Sequence, residues 1–220
     1  MIEWWPATGA LRVVALGAHP DDIEIGCGGT LLRLAQRDAT QVHGLVLTGT
    51  GERAAEARSA LSRFVPGATV HVAGLPDGRL PASWHAVKQT LEDTAAEMAA
   101  DLVLAPRPDD AHQDHRLVGE LAPTVWRDAL VLHYEIPKWD GDLSAPAVFV
   151  GLSSEIARRK VALLNDAFPS QKSRDWWDDE MFLGLMRIRG MECRHRYAEA
   201  FHTKKIVLTL DDEPRDGEEG

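Results

Sequence analysis

Hydrophobic residues along this chain fall either in short continuous runs or in longer segments with helical spacing. The short runs are rich in Val and Leu and are typical of buried strands, whereas the longer segments are typical of amphipathic helices. The predicted strands are 11–17, 41–47, 68–72, 102–105 and 129–134, and the helices between them are 30–37, 54–64, 86–99 and 116–128. Because strands and helices alternate, the pattern predicts a doubly wound parallel sheet.

The pattern changes after residue 134, where loops become longer and polar. An edge strand is predicted at 147–150, helices at 155–165 and 180–189, and a last strand at 206–210. We therefore predict a single α/β domain with a Rossmann-like, doubly wound and mostly parallel sheet at residues 11–210. Residues 1–10 are predicted to be an N-terminal lead-in, and residues 211–220 an acidic disordered tail.

Composition narrows the possible partners. The chain has 220 residues, 45% of them hydrophobic, and a formal net charge of −10. This charge argues against general nucleic-acid binding and against an anionic membrane surface, and leaves small neutral or cationic molecules as partners. Neither a signal-peptide pattern nor an apolar run of membrane-spanning length is evident, so we expect a cytoplasmic protein.

The first chemically informative stretch follows the predicted strand at 11–17. His19 and Asp22 lie three residues apart in a tight turn, and Pro20 restricts the backbone between them. An imidazole nitrogen and a carboxylate oxygen are suitable ligands for Zn²⁺ or another first-row divalent metal. A catalytic zinc site usually has three protein ligands, so a third ligand is expected elsewhere in the chain.

A second group of His and Asp residues, at 107–115, follows the predicted strand at 102–105. Each group taken alone could be an ordinary solvated loop. The carboxyl ends of parallel strands meet at one edge of a sheet, where ligands bind in open α/β folds. The two groups together therefore predict a shared metal site, with His112 and His115 both open as the third ligand.

These motifs resemble those of the PIG-L, or LmbE-like, family of metal-dependent N-acetylglucosaminyl deacetylases. The resemblance rests on Ala-His-Pro-Asp-Asp-Ile-Glu-Ile-Gly-Cys-Gly-Gly-Thr at 18–30 and on His-Gln-Asp-His-Arg at 112–116. Segments 48–53, 75–80, 168–171 and 197–201 support it, so the likeness runs from about residue 11 to about residue 208. The family often has an acidic residue directly after the Asp pair; here Ile23 intervenes before Glu24.

The resemblance implies a zinc-dependent N-deacetylase that hydrolyses the acetamide of an N-acetylglucosamine-type sugar or conjugate. The metal ligands would be His19, Asp22 and His115, and the preference for His115 over His112 comes from the resemblance. Zn²⁺ is the expected cofactor, with Fe²⁺ or another divalent metal as the alternative.

Three further residues are expected to be catalytic. Asp21 would act as the general base for the attacking water. His112 would stabilise the tetrahedral oxyanion or protonate the leaving nitrogen. Asp114, two residues further on, would hold the His112 imidazole in one tautomer and keep it charged.

Substrate binding is expected at loops on the same edge of the sheet. A guanidinium and carboxylate pair suits sugar hydroxyls, and the candidates are Arg53, Arg58 and Asp77, of which the resemblance favours Arg53 and Asp77. Indole rings in polar loops either stack on a sugar or are buried in the core, and the three candidates are Trp139, Trp176 and Trp177.

Alternative functions also fit the sequence. The protein could hydrolyse another small amide or ester, or bind a metal or a sugar without turnover. A dinucleotide site at Gly26, Gly28 and Gly29 is disfavoured, because the spacing is not Gly-x-Gly-x-x-Gly and two carboxylates precede the glycines. We also predict a homo-oligomer, with Trp4 and Trp5 as possible contact residues.

Overall fold

The computed structural model describes residues 9–207 as a single α/β domain built on a mixed sheet of seven strands, which confirms the predicted fold class. The strands are β1 (Leu11–Gly17), β2 (Thr40–Thr48), β3 (Thr69–Leu75), β4 (Leu102–Pro106), β5 (Leu130–Tyr134), β6 (Val148–Leu152) and β7 (Tyr197–His202). The helices are α1 (Asp22–Leu34), α2 (Gly51–Phe64), α3 (Trp84–Glu97), α4 (Gln113–Val125), α5 (Ser154–Ala167) and α6 (Asp179–Glu192). Within the described residues, no helix is both long and apolar enough to cross a membrane.

The strand order across the sheet is β3-β2-β1-β4-β5-β7-β6. Strands β1 to β5 are parallel, whereas β7 pairs antiparallel with both β5 and β6. From β1 the chain moves outward through β2 and β3, and then returns to β4 on the other side of β1. This reversal creates a crevice between the loops that follow β1 and β4, which is the usual binding position in such sheets.

Two apolar layers cover the two faces of the sheet. Strand β1 shows why, because Val13 and Ala15 face the layer that contains α1, α2, α5 and α6, and Val14 and Leu16 face the layer that contains α3 and α4. These four side chains are at most 1% exposed. A strand buried on both faces has the continuous apolar pattern that the sequence shows at 11–17.

Helix α1 begins earlier than the sequence suggests. The sequence predicted a helix from residue 30, but α1 begins at Asp22 and has one non-helical residue, Cys27. Glu199 of β7 accepts the backbone N–H groups of Gly29 and Thr30 at 2.7 and 2.6 Å. The half of α1 after Cys27 is thus capped by a carboxylate from a remote segment, which a local sequence pattern could not reveal.

The glycines of α1 serve packing. A Cβ atom at Gly26 would lie 2.1 Å from the ring of Tyr134, and one at Gly28 would lie 2.7 Å from the ring of Phe64. Both rings are at most 1% exposed and belong to the core. The glycine-rich stretch therefore lets α1 approach β5 and α2 closely. This packing accounts for the glycines, so no dinucleotide site is needed to explain them.

The C-terminal part of the sheet differs from the prediction. Residues 197–202 form the interior strand β7, although Ala and Glu have low strand propensity. The predicted strand at 206–210 is wrong for Ile206 and Val207, which lie outside any strand, and its remaining residues fall outside the described part of the chain. Pairing with strands on both sides and burial override the local preference at β7. The lead-in up to residue 8, including Trp4 and Trp5, and the predicted tail also lie outside the described residues.

A buried ion pair joins α5 to β7. Lys160 donates to Glu199 Oε1 and to the Ile25 carbonyl oxygen, both at 2.6 Å, and both charged side chains are at most 4% exposed. Removing one partner of a buried pair leaves an uncompensated charge. We expect Lys160→Met to lower the free energy of unfolding by about 3–5 kcal/mol, measured by urea denaturation.

The matched control for this prediction is Lys88→Met. Lys88 pairs with Glu92 on α3 at 3.0 Å, but half of the Glu92 side chain is exposed, at 50%. Its loss should cost less than about 0.5 kcal/mol. Equal destabilisation by the two substitutions would contradict a special contribution of the buried pair.

Candidate metal centre and active site

Two loops meet at the crevice where the strand order reverses. Loop 18–21 follows β1 and segment 107–112 follows β4, and these two strands pair in parallel. Thr48, at the end of β2, donates its backbone N–H and its hydroxyl to the Ala18 carbonyl oxygen at 3.0 and 2.7 Å. The neighbouring strand thereby supports loop 18–21 from behind.

Three side chains converge on one small volume. His19 Nδ1 lies 3.0 Å from His115 Nε2. The Asp22 carboxylate completes the triangle, with Oδ1 3.3 Å from His115 Nε2 and Oδ2 3.4 Å from His19 Nδ1. The backbone N–H of His19 donates to Asp22 Oδ2 at 2.8 Å and fixes the orientation of this carboxylate.

The size of this triangle fits a small divalent cation. With bonds of about 2.0–2.1 Å to a tetrahedral Zn²⁺, ligand atoms lie about 3.3 Å from one another, which is close to the separations observed here. The donor set of two imidazoles and one carboxylate suits Zn²⁺ and also Fe²⁺. Among the described residues, two sets of side chains also have ligand atoms close enough to share an ion: His19, His112 and His115, and His19, Asp77 and Asp114.

Each histidine of the triangle has a carboxylate at its other ring nitrogen. Asp110 Oδ1 lies 3.2 Å from His115 Nδ1, and Asp114 Oδ2 lies 3.4 Å from His19 Nε2. Both nitrogens are buried and make no hydrogen bond of good geometry in the described structure. Metal-binding histidines usually donate this second N–H to a carboxylate, so the surroundings also fit a metal site.

The electrostatics of the cluster favour positive charge at the triangle. Burial alone would lower the pKa of His19, but the charge of Asp22 and the contact with Asp114 raise it to about 12. Burial alone would also lower the pKa of His115, but Asp22 and Asp110 raise it to about 9. A divalent cation would satisfy the same carboxylates and require both imidazoles to be neutral.

Asp21 lies beside the triangle and is only 6% exposed. Burial raises its pKa, while the charge of Arg53 opposes the change. Arg53 Nη2 lies 3.0 Å from Asp21 Oδ2, and Arg53 Nη1 donates to Glu56 at 3.0 Å and to Ser170 at 3.3 Å. The guanidinium of Arg53 thus contacts protein groups and orients Asp21, and its role in substrate binding stays a prediction.

The structure gives Asp114 other partners than the sequence suggested. Its carboxylate accepts the backbone N–H groups of Gly78 and Leu80 at 2.8 and 3.1 Å and faces His19. Its own backbone N–H donates to His112 Nδ1 at 3.2 Å, so the His112 side chain caps α4. Burial and the neighbouring histidines lower the pKa of His112, which argues against the charged imidazole that we expected.

The candidate substrate-binding residues differ in position. Asp77 Oδ1 lies 3.2 Å from His19 Nε2, and 76% of the Asp77 side chain is exposed at the entrance of the site. Arg58 is exposed on α2, and five residues of helix rotate it about 140° away from Arg53. Among the contacts of residues 9–207, Arg58 has no hydrogen bond or ion pair with the cluster. The structure therefore brings Arg53 and Asp77, but not Arg58, to the site.

Asp110 is the main residue that sequence reasoning missed. It is 2% exposed, and Lys138 Nζ donates to its Oδ2 at 2.9 Å and to Asp142 Oδ2 at 2.8 Å. Its place in the His and Asp group at 107–115 was the only sequence signal. The contact with Lys138 joins the loop after β5 to the loop after β4 and could not be inferred from spacing.

Comparison with known proteins supplies the class of protein. The family model described as PIG-L, GlcNAc-PI de-N-acetylase, matches residues 14–126. The uncharacterized deacetylase YaiS of Escherichia coli (strain K12) is 32% identical over 165 residues, which cover 69% of this chain and 88% of YaiS. The chain therefore belongs to the PIG-L family of deacetylases, as its motifs suggested.

Solved structures share the fold at lower identity. The N,N′-diacetylchitobiose deacetylase from Pyrococcus horikoshii is similar with a TM-score of 0.70 and 22% identity, over 89% of this chain and 84% of that one. GalB, the 4-carboxy-2-hydroxymuconate hydratase from Pseudomonas putida KT2440, has a TM-score of 0.74 and 17% identity, over 91% and 99%. The fold thus occurs in a hydratase as well as in a deacetylase, and the reaction must be argued from the site.

We expect Asp110→Asn to weaken Zn²⁺ binding by about 10- to 100-fold, the usual effect of losing a residue that orients a metal ligand. Asparagine keeps an oxygen for the His112 backbone N–H, which donates to Asp110 Oδ1 at 2.8 Å, but removes the charge beside His115. Competition with a chromophoric chelator measures the affinity. Asp109→Asn is the control, because the Asp109 side chain is 66% exposed and pairs with Arg107; equal affinities of the two variants would contradict the prediction.

Proposed function

We propose that this protein is a Zn²⁺-dependent N-deacetylase that hydrolyses the acetamide of an N-acetylglucosamine-type sugar or conjugate. The observation that carries the proposal is the convergence of His19 Nδ1, His115 Nε2 and the Asp22 carboxylate within 3.0–3.4 Å, with Asp21 beside them. Membership of a deacetylase family supports the reaction class.

His19, Asp22 and His115 are the proposed metal ligands. His115 is preferred to His112 because the other ring nitrogen of His115 faces a buried carboxylate, whereas His112 Nδ1 accepts a backbone N–H. Zn²⁺ held there would polarise the acetamide carbonyl and increase the acidity of water. Fe²⁺ is an alternative with the same donors.

Asp21 is the proposed general base. Arg53 holds Asp21 Oδ2 at 3.0 Å and leaves Oδ1 to accept a proton from the attacking water. Asp21 then returns the proton to the leaving nitrogen, so that one water and one acetamide give acetate and a free amine.

His112 is the proposed oxyanion donor. Its Nδ1 accepts the Asp114 backbone N–H, so the neutral imidazole carries its proton on Nε2. The lowered pKa of His112 is consistent with this neutral form. An uncharged donor stabilises the tetrahedral oxyanion by a hydrogen bond, and proton transfer to the amine is left to Asp21.

An uncharged sugar is the proposed substrate class. The net charge of −10 disfavours strongly anionic ligands. The P. horikoshii enzyme of similar fold is, by its name, a deacetylase of an N-acetylated disaccharide. Hydrolysis of another small amide or ester is the alternative reaction. A cytoplasmic location and a homo-oligomer remain predictions, and light scattering tests the latter.

The direct test is an assay of amine and acetate release over N-acetylglucosamine, N,N′-diacetylchitobiose and simple acetamides and esters, with Zn²⁺ or Fe²⁺ restored. We expect equimolar amine and acetate from the sugars. His115→Ala, which lacks a proposed ligand, should bind no stoichiometric metal and give no product. Release from simple amides or esters but not from the sugars would favour the alternative reaction.

We expect Asp21→Asn to retain metal and to lose about 10²–10⁴-fold in kcat, because the acceptor for the water proton is absent. The loss should be larger in kcat than in KM, since a base acts mainly in the transition state. Asparagine is nearly isosteric, so metal analysis should show unchanged stoichiometry. A metal-loaded variant with more than about a tenth of the wild-type kcat would exclude Asp21 as the base.

A further inference from the structure

Segment 168–171, one of the motifs behind the family resemblance, packs against α2 beside the proposed active site. It contains a short 3₁₀ helix, Pro169–Gln171, which places Ser170 next to Glu56 of α2, 114 positions away in the chain. The Ser170 backbone N–H donates to Glu56 Oε1 at 2.9 Å, and the Ser170 hydroxyl donates to Glu56 Oε2 at 2.7 Å. The side-chain amide of Gln171 donates to Ser170 Oγ at 3.0 Å. We call Glu56 and Ser170 the arginine clamp.

The arginine clamp holds one end of the Arg53 guanidinium. Arg53 Nη1 donates to Glu56 Oε2 at 3.0 Å and to Ser170 Oγ at 3.3 Å, so both of its hydrogens have acceptors. The other end, Nη2, lies 3.0 Å from Asp21 Oδ2. No hydrogen bond to Asp21 Oδ1 occurs among residues 9–207, so Arg53 contacts Asp21 through one oxygen.

The surroundings of the arginine clamp are buried. The Glu56 side chain is 7% exposed, and Arg53 Cζ lies 5.9 Å from the centroid of the Phe168 ring, within the range of a cation–π contact. Phe168 is fully buried, and its ring centroid lies 6.0 Å from that of Trp177, which is itself 8% exposed. Trp177 therefore belongs to the core and is not available to stack on a sugar. Charge-assisted hydrogen bonds in such surroundings are strong and fix the plane of the guanidinium.

The contact with a single oxygen matters for the chemistry. Arginine frequently binds a carboxylate through two parallel N–H···O bonds from two nitrogens. If Arg53 bound Asp21 in that way, both carboxylate oxygens would accept guanidinium hydrogens. The proposed general base needs Oδ1 to accept the proton of the attacking water, so the two-point pair would block it. The arginine clamp prevents this, because it occupies Nη1 and keeps the guanidinium from turning.

We propose that Glu56 and Ser170 are positioning residues, which restrict Arg53 to one oxygen of Asp21 and keep Asp21 Oδ1 free for the attacking water. This inference rests on the proposed function for the role of Asp21. It links segment 168–171 to the reaction through two successive contacts, from the arginine clamp to Arg53 and from Arg53 to Asp21.

Glu56→Gln tests the arginine clamp, because glutamine keeps an oxygen for Ser170 but loses the charge that holds Nη1. With metal restored, we expect kcat to fall about 10- to 100-fold, as for a misplaced catalytic group, while KM and metal stoichiometry stay unchanged. Ser170→Ala should lower kcat in the same direction, and it keeps the inference testable if Glu56→Gln does not fold. Arg63→Gln is the control, because exposed Arg63 also joins α2 to another segment, through the Asp166 carbonyl oxygen at 3.1 Å.

Arg53→Lys separates the proposed role from a merely structural one. Lysine has a single nitrogen and cannot form the parallel two-nitrogen pair with Asp21. Glu56→Gln should therefore lower kcat by less than about threefold in an Arg53→Lys background, whereas a general loss of packing would lower it equally in both backgrounds. In the crystal structure of metal-loaded Glu56→Gln, Arg53 should contact both carboxylate oxygens of Asp21.

An Arg53 side chain that stays on one oxygen of Asp21 in the Glu56→Gln structure would overturn the inference. Equal losses of kcat in the two backgrounds, or an unchanged kcat in both Glu56→Gln and Ser170→Ala, would also overturn it. If the wild-type protein released no amine from any substrate, the proposed function would fail. The position of Arg53 in the Glu56→Gln structure would then still support or overturn the arginine clamp.

Discussion

Buried negative charge at the carboxyl edge of the sheet is the constraint on which the rest of this structure depends. Four carboxylates there are at most 6% exposed: Asp21, Asp22, Asp110 and Asp114. Burying unpaired carboxylates is costly, so each has a positive or hydrogen-bonding partner. Burial raises the pKa of a fifth carboxyl, Glu24, to about 8, so it adds little charge at neutral pH. The resulting balance favours a cation at the centre of the cluster.

The partners of these carboxylates come from several other elements around the site, and this links the fold to the chemistry. Arg53 from α2 holds Asp21, and Lys138 from the loop after β5 holds Asp110. The backbone before α3 holds Asp114. A fold shared with a hydratase does not by itself define the reaction. The triangle with its flanking carboxylates, together with membership of a deacetylase family, supports the proposed hydrolysis of an acetamide.

The sequence was sufficient to predict most of the fold, because the hydrophobic pattern of most segments agrees with the helix or strand that they form. Continuous apolar runs at β1 to β5 and helical spacing between them predicted the parallel part of the sheet and its wound topology. Strand β7 and the early start of α1 were not predictable in this way. Glu199 is buried in β7 because it meets Lys160 and the amides of α1, and these contacts join residues that are 39 to 170 positions apart.

The sequence by itself determined the family and suggested the convergence of His19 and Asp22 with the His and Asp group at 107–115, because these residues follow the ends of parallel strands. Only the tertiary structure decided which carboxylate faces which histidine. In the structure, Asp114 faces His19, Asp110 contacts His115, and Arg53 contacts Asp21. The physical reason is that strand ends are set by local hydrophobic patterns, whereas side-chain pairing depends on distances between segments that are remote in the chain.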